Sequence, residues 1–238
     1  MLGAGFFVEA VAGFGGTVLA LSLGATRFPI ATVLAVFLPL NLALSAYLAI
    51  RHRAAVAGRA LATTIVPPML VGLAVGTGLA VVIDADAAKL GFAALVIAVA
   101  IRELVRLARP RPTAPPPPRP ALQVLVLGAA GVIHGLFATG GPLVVAIANR
   151  MFAAKATLRA TLAVLWFALN LVVLARLVAA GDLTTTTLGY SAAMVPVLGV
   201  ALAAGEWIHH RVSERGFRWL VAGLLAAVGA VLFVRSLP

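Results

Sequence analysis

Two short stretches carry the same kinds of chemistry in the same order: Glu9 to Gly16, with Gly13, Gly15 and Gly16, and His134 to Gly141, with Ala138, Thr139, Gly140 and Gly141. His134, Gly140 and Gly141 follow Glu9, Gly15 and Gly16 by a constant 125 positions. Paired glycines let a chain turn sharply and bring bare amides close to a ligand. Thr17 begins a new helical run in the first stretch and Pro142 in the second, and proline is favoured at a first helical position. Each break is therefore expected to end in an exposed helix N-terminus, with free N–H donors and about half a positive charge. That combination suits an anion. Gly15, Gly16, Thr17, Thr139, Gly140 and Gly141 form the expected substrate site, the two threonines adding hydroxyl donors. The alternative, that the glycines only allow tight helix packing, fits a single pair better than a matched pair beside ionisable residues.

Glu9 and His134 are those ionisable residues. Charges inside a membrane are costly and tend to mark pathways or proton relays. Histidine titrates near neutral pH, and burial raises a carboxylic acid toward it. Both are candidates for the coupling proton. For His134 a neutral, hydrogen-bonded packing role is an equal alternative. Glu9 as an anion would oppose an anionic substrate, which favours a proton role there. Asn41 and Asn170, 129 positions apart, sit mid-segment among apolar residues. Such groups face a bundle interior, and their matched positions place them with the site.

The elements that hold these residues are membrane helices. Of 238 residues, 63% are hydrophobic and 11% charged, and apolar runs near 20 residues, long enough to cross a bilayer, recur along the chain. They cover roughly 2–24, 28–50, 60–83, 87–107, 121–148, 158–180, 185–208 and 217–236. Continuous runs such as Phe92 to Ile101 exclude a barrel's alternating strands. A net charge of +11 would suit nucleic acid. The basic residues instead lie between apolar segments, where they orient a membrane protein, so no nucleic-acid partner is expected. With no cysteine and four histidines, two of them adjacent, no metal site and no cofactor are expected. No Gly-x-Ser-x-Gly pattern supports an intramembrane hydrolase. The start lacks the positive region of a cleavable signal, so Met1 to Leu23 is expected to be retained.

A proline-rich stretch, 110–120, reads as an extended spacer between a first repeat, 1–109, and a second, 121–238. The repeat extends to Pro67 with Pro196 and Gly76 with Gly205, at the same 129-residue shift as the asparagines. If all eight segments cross, Arg150, Lys155, Arg159, Arg211, Arg215 and Arg218 fall outside, against the positive-inside rule. If each glycine-broken segment returns to the side it entered, every basic cluster is cytoplasmic and Asp84, Asp86 and Asp182 are external. The expected fold is thus an all-α polytopic membrane protein of two inverted repeats. Each is a re-entrant helical hairpin plus three transmembrane helices, with the hairpin tips near the midplane and the termini outside. Eight plain spans are the alternative. Arg176 and Arg235 read as snorkelling span ends, Arg27 and Arg159 as entrance residues, His209 to Arg211 as an interfacial cluster, Trp207 and Trp219 as an aromatic belt, and Thr184 to Thr187 as a helix start.

The Gly13-Phe14-Gly15-Gly16 motif, its echo Ala138 to Pro142 and the duplicated layout resemble the TauE/SafE sulfite exporter family, also called 4-toluene sulfonate uptake permeases. The resemblance covers essentially the whole chain. Glu9 matches the subgroup with a glutamate four residues before the first glycine. Ala138 departs from the usual Gly-x-Gly-Gly. The resemblance implies a bacterial inner-membrane carrier of small sulfur oxyanions such as sulfite or sulfoacetate, with proton coupling, and not an enzyme. An anion channel of the same fold is the alternative within transport, and an intramembrane enzyme the alternative outside it.

Overall fold

The computed structural model describes residues 2–12, 14–108, 119–152, 154–209 and 214–236. Gly13, Arg109, His210, Arg211 and most of the proline-rich stretch (110–118) lie outside the described residues. Among the described residues the chain is helical, without strands: α1 (Leu2–Ala12), α2 (Gly16–Gly24), α3 (Ile30–Arg51), α4 (Gly58–Val82), α5 (Ala85–Ala108), α6 (Pro120–Phe137), α7 (Gly141–Met151), α8 (Lys155–Ala179), α9 (Thr185–His209) and α10 (Glu214–Ser236). Five of these, α3, α4, α6, α8 and α9, are long and apolar enough to cross a membrane. Val71, Val82, Leu125 and Val200 are each at least two-thirds exposed. Outward apolar side chains of this kind suit lipid rather than water.

Local chemistry sets the helix ends. Asp84 Oδ1 accepts from the backbone N–H groups of Asp86 and Ala87 at 3.0 and 2.8 Å, satisfying donors that a helix start leaves free. Thr184 and Thr187 cap each other's backbone N–H groups at 3.2 and 2.8 Å, so the threonine run does start α9. Arg119 has extended backbone (φ −56, ψ 140) and Pro120 opens α6. In α4, a π turn at Leu61–Ile65 precedes Pro67 and Pro68, which have no N–H to return to the carbonyls of that turn. In α3, Pro39 removes the partner of the Ala35 carbonyl. Ser191 Oγ donates to the adjoining Val36 carbonyl at 2.9 Å, the kind of hydroxyl support such breaks require in membranes.

The chain divides into two compact units, and neither is a sequence half. One comprises Met1–Val33, Ile83–Thr113 and Ala193–Pro238; the other comprises Leu34–Val82 and Ala114–Ala192. In the first unit, α1 and α2 fold back on each other: a Cβ on Gly5 would meet Ala20 Cβ at 2.7 Å, and one on Gly16 would meet Glu9 Cβ at 2.6 Å. The arms have 11 and 9 residues, about 16 and 13 Å of helix, each shorter than a bilayer core. There too Gly205 of α9 lies against Ala10, and Gly229 of α10 against Val96 and Ile97 of α5.

In the second unit, α6 lies along α4 through glycines. A Cβ on Gly131 would come within 3.0 Å of Gly72 Cα, one on Gly135 within 2.6 Å of Thr77 N, and one on Gly72 within 2.9 Å of Val132 N. Small residues at four-residue spacing let two backbones touch in this way. Gly76 and Gly205, matched in sequence, thus each bring a helix against a glycine-broken hairpin.

Candidate functional site

The two breaks are built differently. In the first, Gly15 carries the left-handed backbone, with φ +86, which glycine adopts freely. In the second, Gly140 is ordinary at φ −74, and the left-handed residue is Ala138, φ 52 and ψ 31. Ala138 closes α6 by donating its N–H to the His134 carbonyl at 2.7 Å. A residue with a Cβ pays about 1–2 kcal/mol there. The position where the motif departs from glycine is therefore a strained one. Gly140 needs its bare Cα for another reason: a Cβ would collide with the Ala130 carbonyl oxygen and reach His134 Cβ at 3.4 Å.

Glu9 is buried, 4% exposed. Its Oε2 lies 2.5 Å from where a Cβ would stand on Gly16, the first residue of α2. The carboxyl group thus sits at the N-terminal end of α2, the end that favours negative charge. Thr17 is buried in the next position.

At the second break a polar chain runs through three helices of one unit. Gly140 N–H donates to His134 Nδ1 at 3.4 Å. His134 Nε2 meets Asn170 Oδ1 at 3.0 Å. Asn170 Nδ2 donates to Asn41 Oδ1 at 2.8 Å. His134, Asn170 and Asn41 are 1%, 1% and 0% exposed. Asn41 Nδ2 is buried with no hydrogen-bond partner among the described residues, a costly state for an amide donor. The indole of Trp166 stacks on the His134 ring, centroids 5.7 Å apart and planes 9° apart. Trp166 and Asn170 share one face of α8 because they are four residues apart. Sequence reasoning missed Trp166; its spacing from Asn170 was the available signal. Thr139, Gly140 and Gly141 are buried beside this chain in sequence.

Thus the structure joins four of the expected residues, Gly140, His134, Asn170 and Asn41, and separately joins Glu9 to Gly16. Arg27, Trp207 and Trp219 are exposed. No cluster of three metal-ligating side chains occurs among the described residues.

The family model described as Sulfite exporter TauE/SafE matches residues 1–232. No curated protein and no solved structure matches the chain.

Proposed function

The chain belongs to the sulfite exporter TauE/SafE family, a family of membrane transporters, and on that premise we propose that it is a secondary carrier of small sulfur oxyanions. Sulfite, sulfoacetate and related organosulfonates are its substrates, and it resides in a bacterial inner membrane. The observation that carries this reading is the Asn41 amide: fully buried, its oxygen held by Asn170, its Nδ2 donor without a partner among the described residues. Buried donors of this kind are satisfied by acceptors, and an oxyanion offers several. The N-terminal end of α7, at Gly141, presents further N–H donors; within the other compact unit, Gly15, Gly16 and Thr17 present the corresponding end of α2. Thr139 completes the set.

Glu9 carries the coupling proton in this proposal. Ionised, its carboxylate occupies the end of α2 and repels an anion; protonated, it does not. His134 takes part through Nδ1, because protonation there sets a donor against the Gly140 N–H and opens that contact. The two halves, 1–109 and 121–238, are inverted repeats in this reading. The matched glycine contacts of Gly76 and Gly205 and the matched breaks support it. Proteoliposome counterflow with labelled sulfite, sulfoacetate, thiosulfate and sulfate tests the whole. A carrier accelerates labelled uptake when unlabelled substrate is inside, and a channel does not. Asn41→Leu is expected to weaken apparent affinity about ten- to a hundredfold, the worth of a hydrogen bond to a charged group. Unaltered exchange by that variant removes the site.

A further inference from the structure

The carrier reading leaves open how a sulfonate is told from a phosphonate of nearly the same size and shape. In mildly acidic water a sulfonate bears only acceptor oxygens, whereas a phosphonate keeps one O–H.

The hydrogen-bond chain at the second break has a fixed direction. A backbone N–H donates and never accepts, so Gly140 N–H makes His134 Nδ1 the acceptor. The ring proton then sits on Nε2 and points at Asn170. Asn170 must turn its oxygen to that proton, and its amide nitrogen therefore faces Asn41. Asn41 must answer with its oxygen, which leaves Nδ2 as the end of the chain, buried and without a partner among the described residues. Each orientation is forced by the one before it. The first four N–H groups of a helix are likewise donors only, so the backbone at the start of α7 adds no acceptor, and the Thr139 hydroxyl, which can donate or accept, favours neither anion.

We propose that this relay makes Asn41 a fixed hydrogen-bond donor, so that the site favours proton-free sulfur oxyanions over phosphonates, whose O–H finds no acceptor at Asn41. The inference rests on the anion-carrier reading. Asn41 touches the substrate; His134 and Asn170 are positioning residues that set which face of Asn41 is offered.

The test is the ratio of methanesulfonate to methylphosphonate counterflow in mildly acidic proteoliposomes. Wild-type protein is expected to favour the sulfonate by about tenfold to a hundredfold, the effect of one buried polar group left unpaired. His134→Phe keeps a flat ring for Trp166 but removes both nitrogens, so Asn170 and Asn41 are free to turn. The ratio then falls several-fold in whatever sulfonate exchange the variant retains, a change that a packing role for His134 would not produce. Should that variant fail to insert, Asn170→Asp serves. An aspartate only accepts, so Asn41 turns its nitrogen toward it and offers oxygen to the site, and the ratio falls again. Equal transport of both anions by wild type overturns the proposal, as does an unchanged ratio in an inserted, exchanging variant. Exchange of neither anion, nor of sulfite in mildly alkaline medium where it carries no proton, sinks the carrier reading itself.

Discussion

Replacing Gly140 by alanine adds one methyl group at the tightest point of the second break. The backbone of Gly140 is ordinary, φ −74, so alanine suffers no conformational penalty and any effect is steric. The new Cβ would overlap the Ala130 carbonyl oxygen, a backbone atom of α6 that cannot swing aside. The arms must part by roughly 1 Å to reach ordinary contact. Gly140 N and His134 Nδ1 are already 3.4 Å apart, so that shift breaks the bond that heads the relay. Overpacking costs about 1–3 kcal/mol of stability. An unsatisfied Nδ1 costs about 1–3 kcal/mol more, roughly five- to 150-fold in an equilibrium at 1.4 kcal/mol per decade. Gly78→Ala in α4 is the control: nothing lies within 4 Å of its Cβ position, and a mid-helix alanine gains about 0.5–1 kcal/mol. Counterflow per folded, inserted molecule is the readout. Gly140→Ala should fall by about tenfold or more, and Gly78→Ala should match or exceed wild type. Wild-type exchange by Gly140→Ala would refute the link between the break and the site.

Three further outcomes are expected. Ala138→Gly should raise the thermal midpoint in detergent slightly: the left-handed strain of about 1–2 kcal/mol exceeds the roughly 0.4–1 kcal/mol by which glycine loosens the unfolded chain, and a lower midpoint contradicts this. Gly131→Leu should reduce the yield of folded protein by forcing α6 from α4, where Gly72 Cα is 3.0 Å from the Cβ position; overpacking of this kind costs about 1–3 kcal/mol or more, and unchanged melting contradicts it. Glu9→Gln mimics the protonated acid, so exchange should persist while its rise toward acidic pH flattens; a wild-type pH profile removes the proton role.

The helix bounds and both breaks were legible because apolar run length and paired glycines act locally. The equivalence of the breaks was legible only as a spacing. That Gly15 is left-handed in one and Ala138 in the other depends on how each pair of arms closes, which a motif does not encode. Asn41 and Asn170 were found as polar residues in apolar runs, but their mutual hydrogen bond joins helices 129 residues apart. Glu9 was expected near an anion site, and its place against Gly16 follows from the antiparallel return of α2, which brings positions 9 and 16 together. The proline-rich stretch reads in sequence as a spacer, yet the compact units draw on the chain on both sides of it, because glycine-lined helices from one side pack on the broken hairpin of the other.

The central claim is that an oxyanion binds at the Asn41 amide. Selenite is a sulfite analogue whose selenium is located directly by anomalous scattering. In protein shown to exchange sulfite, a selenium peak within hydrogen-bond reach of Asn41 Nδ2, absent in Asn41→Leu, is the predicted result. A peak elsewhere in the molecule, with none beside Asn41, would contradict the account.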